Sequence, residues 1–291
     1  MKHPAHQQCL GQLNGLKVCF KLFRHERNLY PMKYQIINSS VLIIATIFFA
    51  QSMQSQDTLK TGKNYPAGVY FEYGFGSYAV KDQYISKEKY SGNMPQYTFG
   101  WAREHDKYVY KLKFAYRISD KIKNNNATTY ITQVTLNQGF LYPLKPGRLF
   151  KKDLFFYLGP STDFIYYFNE PYISVAGFDY SQSFAAMLSL GLNMDAIYKI
   201  AHKLQMESSL SLSVISFSFR AVDSDEDDQS PAKLLTLFKG LNLDFNFGVR
   251  YFILNELSVN LKYDFQLLTI SAWDPLTSAS DNGMIGLTYR F

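Results

Sequence analysis

Residues 241–251 read Leu241-Asn242-Leu243-Asp244-Phe245-Asn246-Phe247-Gly248-Val249-Arg250-Tyr251. Leu241, Leu243, Phe245, Phe247, Val249 and Tyr251 share one parity, and Asn242, Asp244, Asn246, Gly248 and Arg250 share the other. Successive side chains of a β-strand point to opposite faces, so this segment predicts a strand with one apolar face and one wet face. A turn at Leu254, Asn255 and Glu256 follows, and then the pattern repeats. Leu257, Val259, Leu261, Tyr263, Phe265 and Leu267 alternate with Ser258, Asn260, Lys262, Asp264 and Gln266. Two such runs joined by a short turn predict an antiparallel hairpin.

The alternation extends through most of the chain. Tyr108, Tyr110, Leu112, Phe114, Tyr116 and Ile118 oppose Lys107, Lys111, Lys113 and Arg117. Further candidate strands lie at 68–79, 95–103, 128–141, 154–168, 183–194, 203–220 and 283–291, making ten. Within 203–220 the apolar parity changes near Val214, from Leu210 and Leu212 to Ile215, Phe217 and Phe219, which predicts a β-bulge. No segment carries a convincing helical period, so the expected fold class is all-β.

Composition narrows the class. The 291 residues are 47% hydrophobic and only 19% charged, which excludes a disordered or collagenous chain. Two cysteines exclude a disulfide scaffold. The net charge of +6 is concentrated at the front: residues 1–52 hold six basic groups and one acid, leaving 24 basic against 23 acidic groups beyond. A near-neutral remainder supplies no basic face for nucleic acid.

Residues 41–50, VLIIATIFFA, form an apolar run of ten flanked by Met32 and Lys33 and by Ala50, Gln51 and Ser52. This is the pattern of a cleaved export signal; a membrane-spanning helix needs about 20 apolar residues. The expected organisation is an upstream extension at 1–31, from a start assigned ahead of Met32, then a signal peptide at 32–52 and one β-domain at 53–291. Both cysteines, Cys9 and Cys19, lie in the extension, so the exported domain has no thiol chemistry.

Connections alternate in length. Short ones fall at His105-Asp106, residues 195–201 and residues 254–256; longer polar ones fall at 81–94, 119–127, 169–181, 223–233 and 271–282. The stretch 143–152 is long for its place in that order. A soluble β-sandwich also alternates apolar and polar residues. Three features weigh against it: the export signal, strands of about ten residues or more, long enough to cross a bilayer at a tilt, and the chain end. That end, Gly286-Leu287-Thr288-Tyr289-Arg290-Phe291, places Leu287, Tyr289 and a terminal Phe291 on alternate positions.

The terminal Phe with alternating aromatics and aliphatics before it resembles the C-terminal strand signal of small Gram-negative outer-membrane β-barrel proteins, and the resemblance covers about residues 57–291. It implies an up-and-down antiparallel barrel of about ten strands, with both chain ends on the periplasmic side. It also implies outer-membrane lipid as the surroundings, and periplasmic chaperones and the barrel-assembly machinery as partners that read Leu287, Tyr289 and Phe291. It fixes no activity, since barrels of this kind serve as pores, enzymes, adhesins and structural proteins.

Closing about ten strands leaves a lumen near the size that side chains fill. The residues expected inside are Glu72, Lys111, Lys113, Arg117, Asp163, Asp195, Glu207, Asp244, Arg250, Lys262, Asp264 and Arg290. Their balanced signs predict an ion-pair network in a mostly filled polar lumen, in a structural or interaction protein of the cell envelope. A narrow passive pore for small solutes is the alternative.

Barrel enzymes, such as omptin-type proteases and lipid hydrolases, rely as families on a histidine near the outer rim as general base. Here His105 and His202 both fall at expected periplasmic turns, and no Gly-x-Ser-x-Gly elbow occurs. No enzyme activity, cofactor or metal is therefore expected. The acidic run Asp223, Asp225, Glu226, Asp227 and Asp228 fails the EF-hand pattern, with Asp228 where Gly is required and Leu234 where Glu is required. Gly74 and Gly76 lie in a strand with no helix following to hold a phosphate. Tyr70, Tyr73, Tyr97, Trp101, Tyr108, Tyr142, Tyr157, Tyr166, Tyr167, Tyr172, Tyr251 and Trp273 fall near expected strand ends, as the aromatic girdles of a barrel do.

Overall fold

A computed structural model describes residues 67–149, 152–172, 182–220, 232–271 and 274–291. The expected extension, signal peptide and acidic run, together with Trp273, lie outside the described residues. The described chain is strands and turns. The strands are β1 (Ala67–Asp82), β2 (Lys89–Asn93), β3 (Gln96–Glu104), β4 (Val109–Lys123), β5 (Thr128–Pro143), β6 (Gly147–Leu149), β7 (Lys152–Tyr172), β8 (Ser183–Ala201), β9 (Leu204–Arg220), β10 (Ala232–Thr236), β11 (Gly240–Phe252), β12 (Leu257–Ile270) and β13 (Leu276–Arg290).

Every pairing is antiparallel, and the sheet closes on itself. β1 pairs with β13 from Gly68↔Arg290 to Asp82↔Leu276. At the seam the Ala67 N–H donates to the Phe291 carbonyl at 3.0 Å, and the Phe291 N–H donates back to Ala67 at 2.8 Å. Two staves are broken. β2 and β3 share the place between β1 and β4, and β10 and β11 share the place beside β9. Counting each broken pair once and setting aside the three-residue β6, the ring is an up-and-down barrel of ten staves. Closure removes the free edges that an open sheet would leave.

The period of two holds around the ring. On β11, Leu241, Phe245, Phe247 and Tyr251 point outward, while Asn242 and Asp244 are buried inside. The bulge expected at Val214 is present: Leu190 pairs with Ile215 and Gly191 with Ser213, so Val214 is skipped and the next residues keep their faces. Outward side chains form an apolar belt. Phe71 lies 4.8 Å from Phe99 and Tyr73 lies 5.3 Å from Tyr97 across the β1–β3 pair. Leu190 is 59% exposed, Ile285 58% and Phe75 54%.

Several boundaries differ from the sequence reading. β8 runs to Ala201, so Asp195 is an inward strand residue and the turn is His202-Lys203. β13 starts at Leu276, so most of 271–282 is strand. Ladders to β1 and β12 hold it there although Thr277, Ala279 and Asp281 give no apolar face. The stretch 143–152 contains β6, which folds back on β7. Lys107 lies in the turn before β4, leaving three of the four cations in the strand. Tyr70, Tyr157 and Tyr167 belong to the lumen, not to a girdle. Tyr70 and Tyr157 line its cavity and Tyr167 is fully buried, because their parity matches Glu72, Asp163 and Asn169. Inside, the Tyr70 ring crosses the opposite glycine: a Cβ at Gly100 would sit 1.9 Å from its Cζ.

Candidate functional site: the barrel lumen

The lumen is stacked in three layers between the rim bearing Ala67 and Phe291 and the rim bearing Asp82. The layer nearest Phe291 is a charged cup. Lys262 Nζ pairs with Glu72 at 2.5 Å, Arg250 with Glu207 at 2.9 Å, Lys113 with Asp244 at 2.9 Å and with Asp264 at 3.2 Å, and Lys111 with Asp195. These groups come from β1, β4, β8, β9, β11 and β12, so the network ties staves around most of the ring. The cup encloses a cavity of about 200 Å³.

Below it lies a plate of amides organised by Arg117. Its guanidinium is fully buried and donates from Nε to Gln96 Oε1 at 2.7 Å, from Nη1 to Gln266 Oε1 at 2.6 Å and from Nη2 to Asp264 Oδ2 at 3.2 Å. Gln133 also donates to Gln266 Oε1, at 3.0 Å, and Gln266 Nε2 donates to Asn242 Oδ1 at 3.0 Å. Asn282 Nδ2 donates to Gln96 Oε1 at 3.0 Å. A buried cation is tolerated only when its donors are met, and here Gln96 of β3 and Asp264 and Gln266 of β12 meet them.

The third layer fills the half nearest Asp82 and is apolar. Tyr78, Tyr90, Met94, Ile122, Ile131, Ile165, Tyr167, Met187, Leu235 and Leu268 pack into one buried cluster. The lumen, expected to be mostly filled and polar, is therefore oily over this half. The inward positions carry Ile, Leu and Met here, and their mutual contact replaces hydration. An ion pair between Arg220 and Asp82 caps the cluster, with Arg220 also donating to the Asp274 carbonyl. Asn169 Nδ2 lies 3.5 Å from Asp82 Oδ2.

The structure places all the expected lumen charges inside and pairs most of them. Asp163 and Arg290 are the exceptions. Asp163 is buried without an ion pair to a described residue and accepts from Asn137 Nδ2 at 2.6 Å. Arg290 stacks over the Phe252 ring, 5.0 Å from its centroid. The sequence reading missed Asp82 and Arg220, which face each other from opposite sides of the far rim, and the amide plate. Gln96, Gln133, Gln266, Asn242 and Asn282 share the inward parity of their strands, which was the available signal.

His105 and His202 both sit in turns at the Phe291 rim, between β3 and β4 and between β8 and β9. His105 stacks on Tyr108 with centroids 4.6 Å apart, and partial desolvation and Arg103 lower its pKa. Leu287, Tyr289 and Phe291 all point outward and are about half exposed.

No family model and no curated protein matches the chain. Solved structures similar to it include the outer-membrane protease OmpT from Escherichia coli, at 9% identity over 81% of this chain and 99% of that one, with a TM-score of 0.43. The translocator domain of the autotransporter NalP from Neisseria meningitidis matches at 11% identity over 87% and 98%, with a TM-score of 0.42. An outer-membrane channel from Pseudomonas putida F1 matches at 9% identity over 81% and 98%, with a TM-score of 0.36.

Proposed function

We propose that the protein is a non-enzymatic outer-membrane barrel with a sealed lumen, serving the cell envelope as a structural or interaction element. The observation that carries this reading is the Arg117 plate backed by the apolar cluster. Together they cross the lumen with side chains shut off from water. Solute flow through a barrel needs a continuous wet path, and two successive dry layers interrupt it.

The membrane part of the reading rests on the outer belt. A soluble monomer leaves apolar patches of at most a few hundred Å² exposed, whereas here large apolar side chains stand exposed on every described stave but β4, whose outward Tyr110, Phe114, Tyr116 and Ile118 are half-buried. Hydrocarbon suits that surface and demands the closed ladder. In this setting the Phe291 rim faces the periplasm, and the outward Leu287, Tyr289 and Phe291 offer the assembly machinery an apolar edge. The histidines then lie on the periplasmic side, remote from extracellular substrates. Export by the cleaved signal at 32–52 completes the route.

Planar-bilayer recording of the purified, heat-modifiable barrel tests the function. The expected result is no unitary conductance. Discrete, ion-selective steps would overturn the sealed reading in favour of a narrow pore.

A further inference from the structure

The buried carboxylates Glu72, Asp82, Asp195, Asp244 and Asp264 each stand in an ion pair with a lysine or arginine. Asp163 of β7 is 1% exposed and has no ion pair to a described residue. It lies deep in the wall, level with the charged cup, because Lys113 pairs with Asn137 and Asn137 with Asp163 across successive ladders. The Lys113 ammonium is already committed to Asp244 and Asp264. A lone charge in a dry wall is costly, so Asp163 calls for a counter-charge.

The side chains around Asp163 supply oxygen. Asn137 of β5 faces it across the ladder, and Ser161 precedes it by two residues on the same face of β7. Asn193 of β8 reaches across β7: a Cβ on Gly139 of β5 would lie 2.6 Å from Asn193 Nδ2, so the glycine makes room for the crossing. One chain of donors orients the amides. An ionised carboxylate only accepts, so Asn137 turns its Nδ2 to Asp163 Oδ1, at 2.6 Å, and the same nitrogen reaches Ser211 Oγ at 3.3 Å. Asn137 Oδ1 then accepts from Asn193 Nδ2 at 3.1 Å. Turning either amide end for end would set oxygen against oxygen. The order leaves three buried oxygens, Asp163 Oδ2, Asn193 Oδ1 and Ser161 Oγ, without a hydrogen-bond partner among the described residues.

We propose that these oxygens form a site for one alkali-metal cation, sodium or potassium, inside the barrel wall, with Asp163 as its counter-charge and Asn193 and Ser161 as neutral ligands. Oxygen ligands suit hard cations, and the count of carboxylates among them sets the charge they balance. One carboxylate beside neutral amide and hydroxyl oxygens balances a single positive charge, whereas a divalent ion would leave net charge buried. Asn137, Asn193 and Ser211 also line the cup's cavity of about 200 Å³, which gives the ion its approach and leaves room for water to complete its shell. Bound there, the ion joins β7 to β8 where the Asn137 amide already joins both to β5. The inference goes beyond the envelope role, and its test reads stability and not conductance, so its failure is distinct from that of the sealed-lumen reading.

The test is reversible urea unfolding of the full barrel in vesicles, with sodium chloride or potassium chloride replacing choline chloride at constant ionic strength. A ligand that binds only the folded state stabilises it by mass action, so above the dissociation constant each tenfold rise in the bound ion should raise the folded-to-unfolded ratio about tenfold. The expected result is that response to sodium, potassium or both, with none to choline; comparing the two salts tells which ion the site prefers. Asp163→Asn keeps the side chain's size and its bond from Asn137 but deletes the charge, and should abolish the response. Gly139→Ala, which pushes the Asn193 amide aside, should weaken the ion's apparent affinity about tenfold or more and serves if Asp163→Asn assembles poorly. Equal stability of the wild-type barrel in all three salts overturns the proposal, and a stability that then changes only with pH would assign the counter-charge to a proton. It is equally overturned if calcium or magnesium replaces the alkali ions at micromolar concentration, or if Asp163→Asn keeps the wild-type response.

Discussion

Replacing Arg117 by Met removes the group around which the middle of the lumen is built while keeping much of its volume. The guanidinium is fully buried and serves Gln96, Gln266 and Asp264 together. Its loss leaves Asp264 with Lys113 as its remaining cation, 3.2 Å away and shared with Asp244. Removing one member of a buried ion pair costs about 3–5 kcal/mol, because the other charge stays buried and undercompensated. The Lys113 contact should hold the cost toward the lower end of that range. Replacing both partners with apolar groups is often neutral, so Arg117→Met with Asp264→Leu should recover most of the loss. Reversible urea unfolding in lipid vesicles, followed by tryptophan fluorescence and by gel mobility, measures both variants. A cost below about 1 kcal/mol for Arg117→Met would refute the claim that the plate holds the lumen together. So would a double variant no better than the single one.

Three other outcomes follow from the geometry. Phe245→Arg, on the outer face of β11, should cost about 2–4 kcal/mol in vesicle unfolding, whereas Asp244→Asn, which keeps the side chain's size and leaves Lys113 paired with Asp264, should cost less. Gly100→Ala should destabilise by about 1–3 kcal/mol through collision with the Tyr70 ring, and adding Tyr70→Ala should relieve the collision; equal instability in the double variant would remove Tyr70 as its cause. Deleting Phe291, whose N–H and carbonyl both bond Ala67 at the seam, should slow assembly in a time course of heat-modifiable protein, and unchanged kinetics would remove it as an assembly signal.

Parity made the outer half of the fold legible. In 241–251 and 257–267 apolar and polar residues separate cleanly, and the Val214 bulge shows as a change of phase, because outward and lumen-facing positions make opposite demands. The cup was legible for the same reason, since Lys111, Lys113, Asp244 and Lys262 are charges inside strongly alternating strands. The apolar layer was not. Where Tyr78, Ile131, Ile165 and Leu268 turn inward, both faces of the strand are apolar or mixed and parity carries no signal. β2 and β10 are five residues each, too short for a period to declare itself, and the start of β13 has inward Ser278 and Ser280 against outward Thr277 and Ala279. Pairing across the ring decides those segments, and a single strand does not contain it. The Asp82 and Arg220 pair likewise joins residues 138 positions apart.

The central claim is that the apolar belt faces hydrocarbon around a closed, filled lumen. A probe at one position tests it most directly. Residues 53–291 contain no cysteine, so in a protein of those residues single substitutions Phe245→Cys and Asp244→Cys can each carry an environment-sensitive fluorophore after reconstitution into vesicles containing spin-labelled lipids. The account predicts strong quenching at position 245 by labels deep in the acyl chains, and none at position 244, its neighbour on the opposite face. A probe at 245 that lipid labels do not reach would contradict it, even if the residue proved buried, since a soluble sandwich also buries Phe245 but never against lipid.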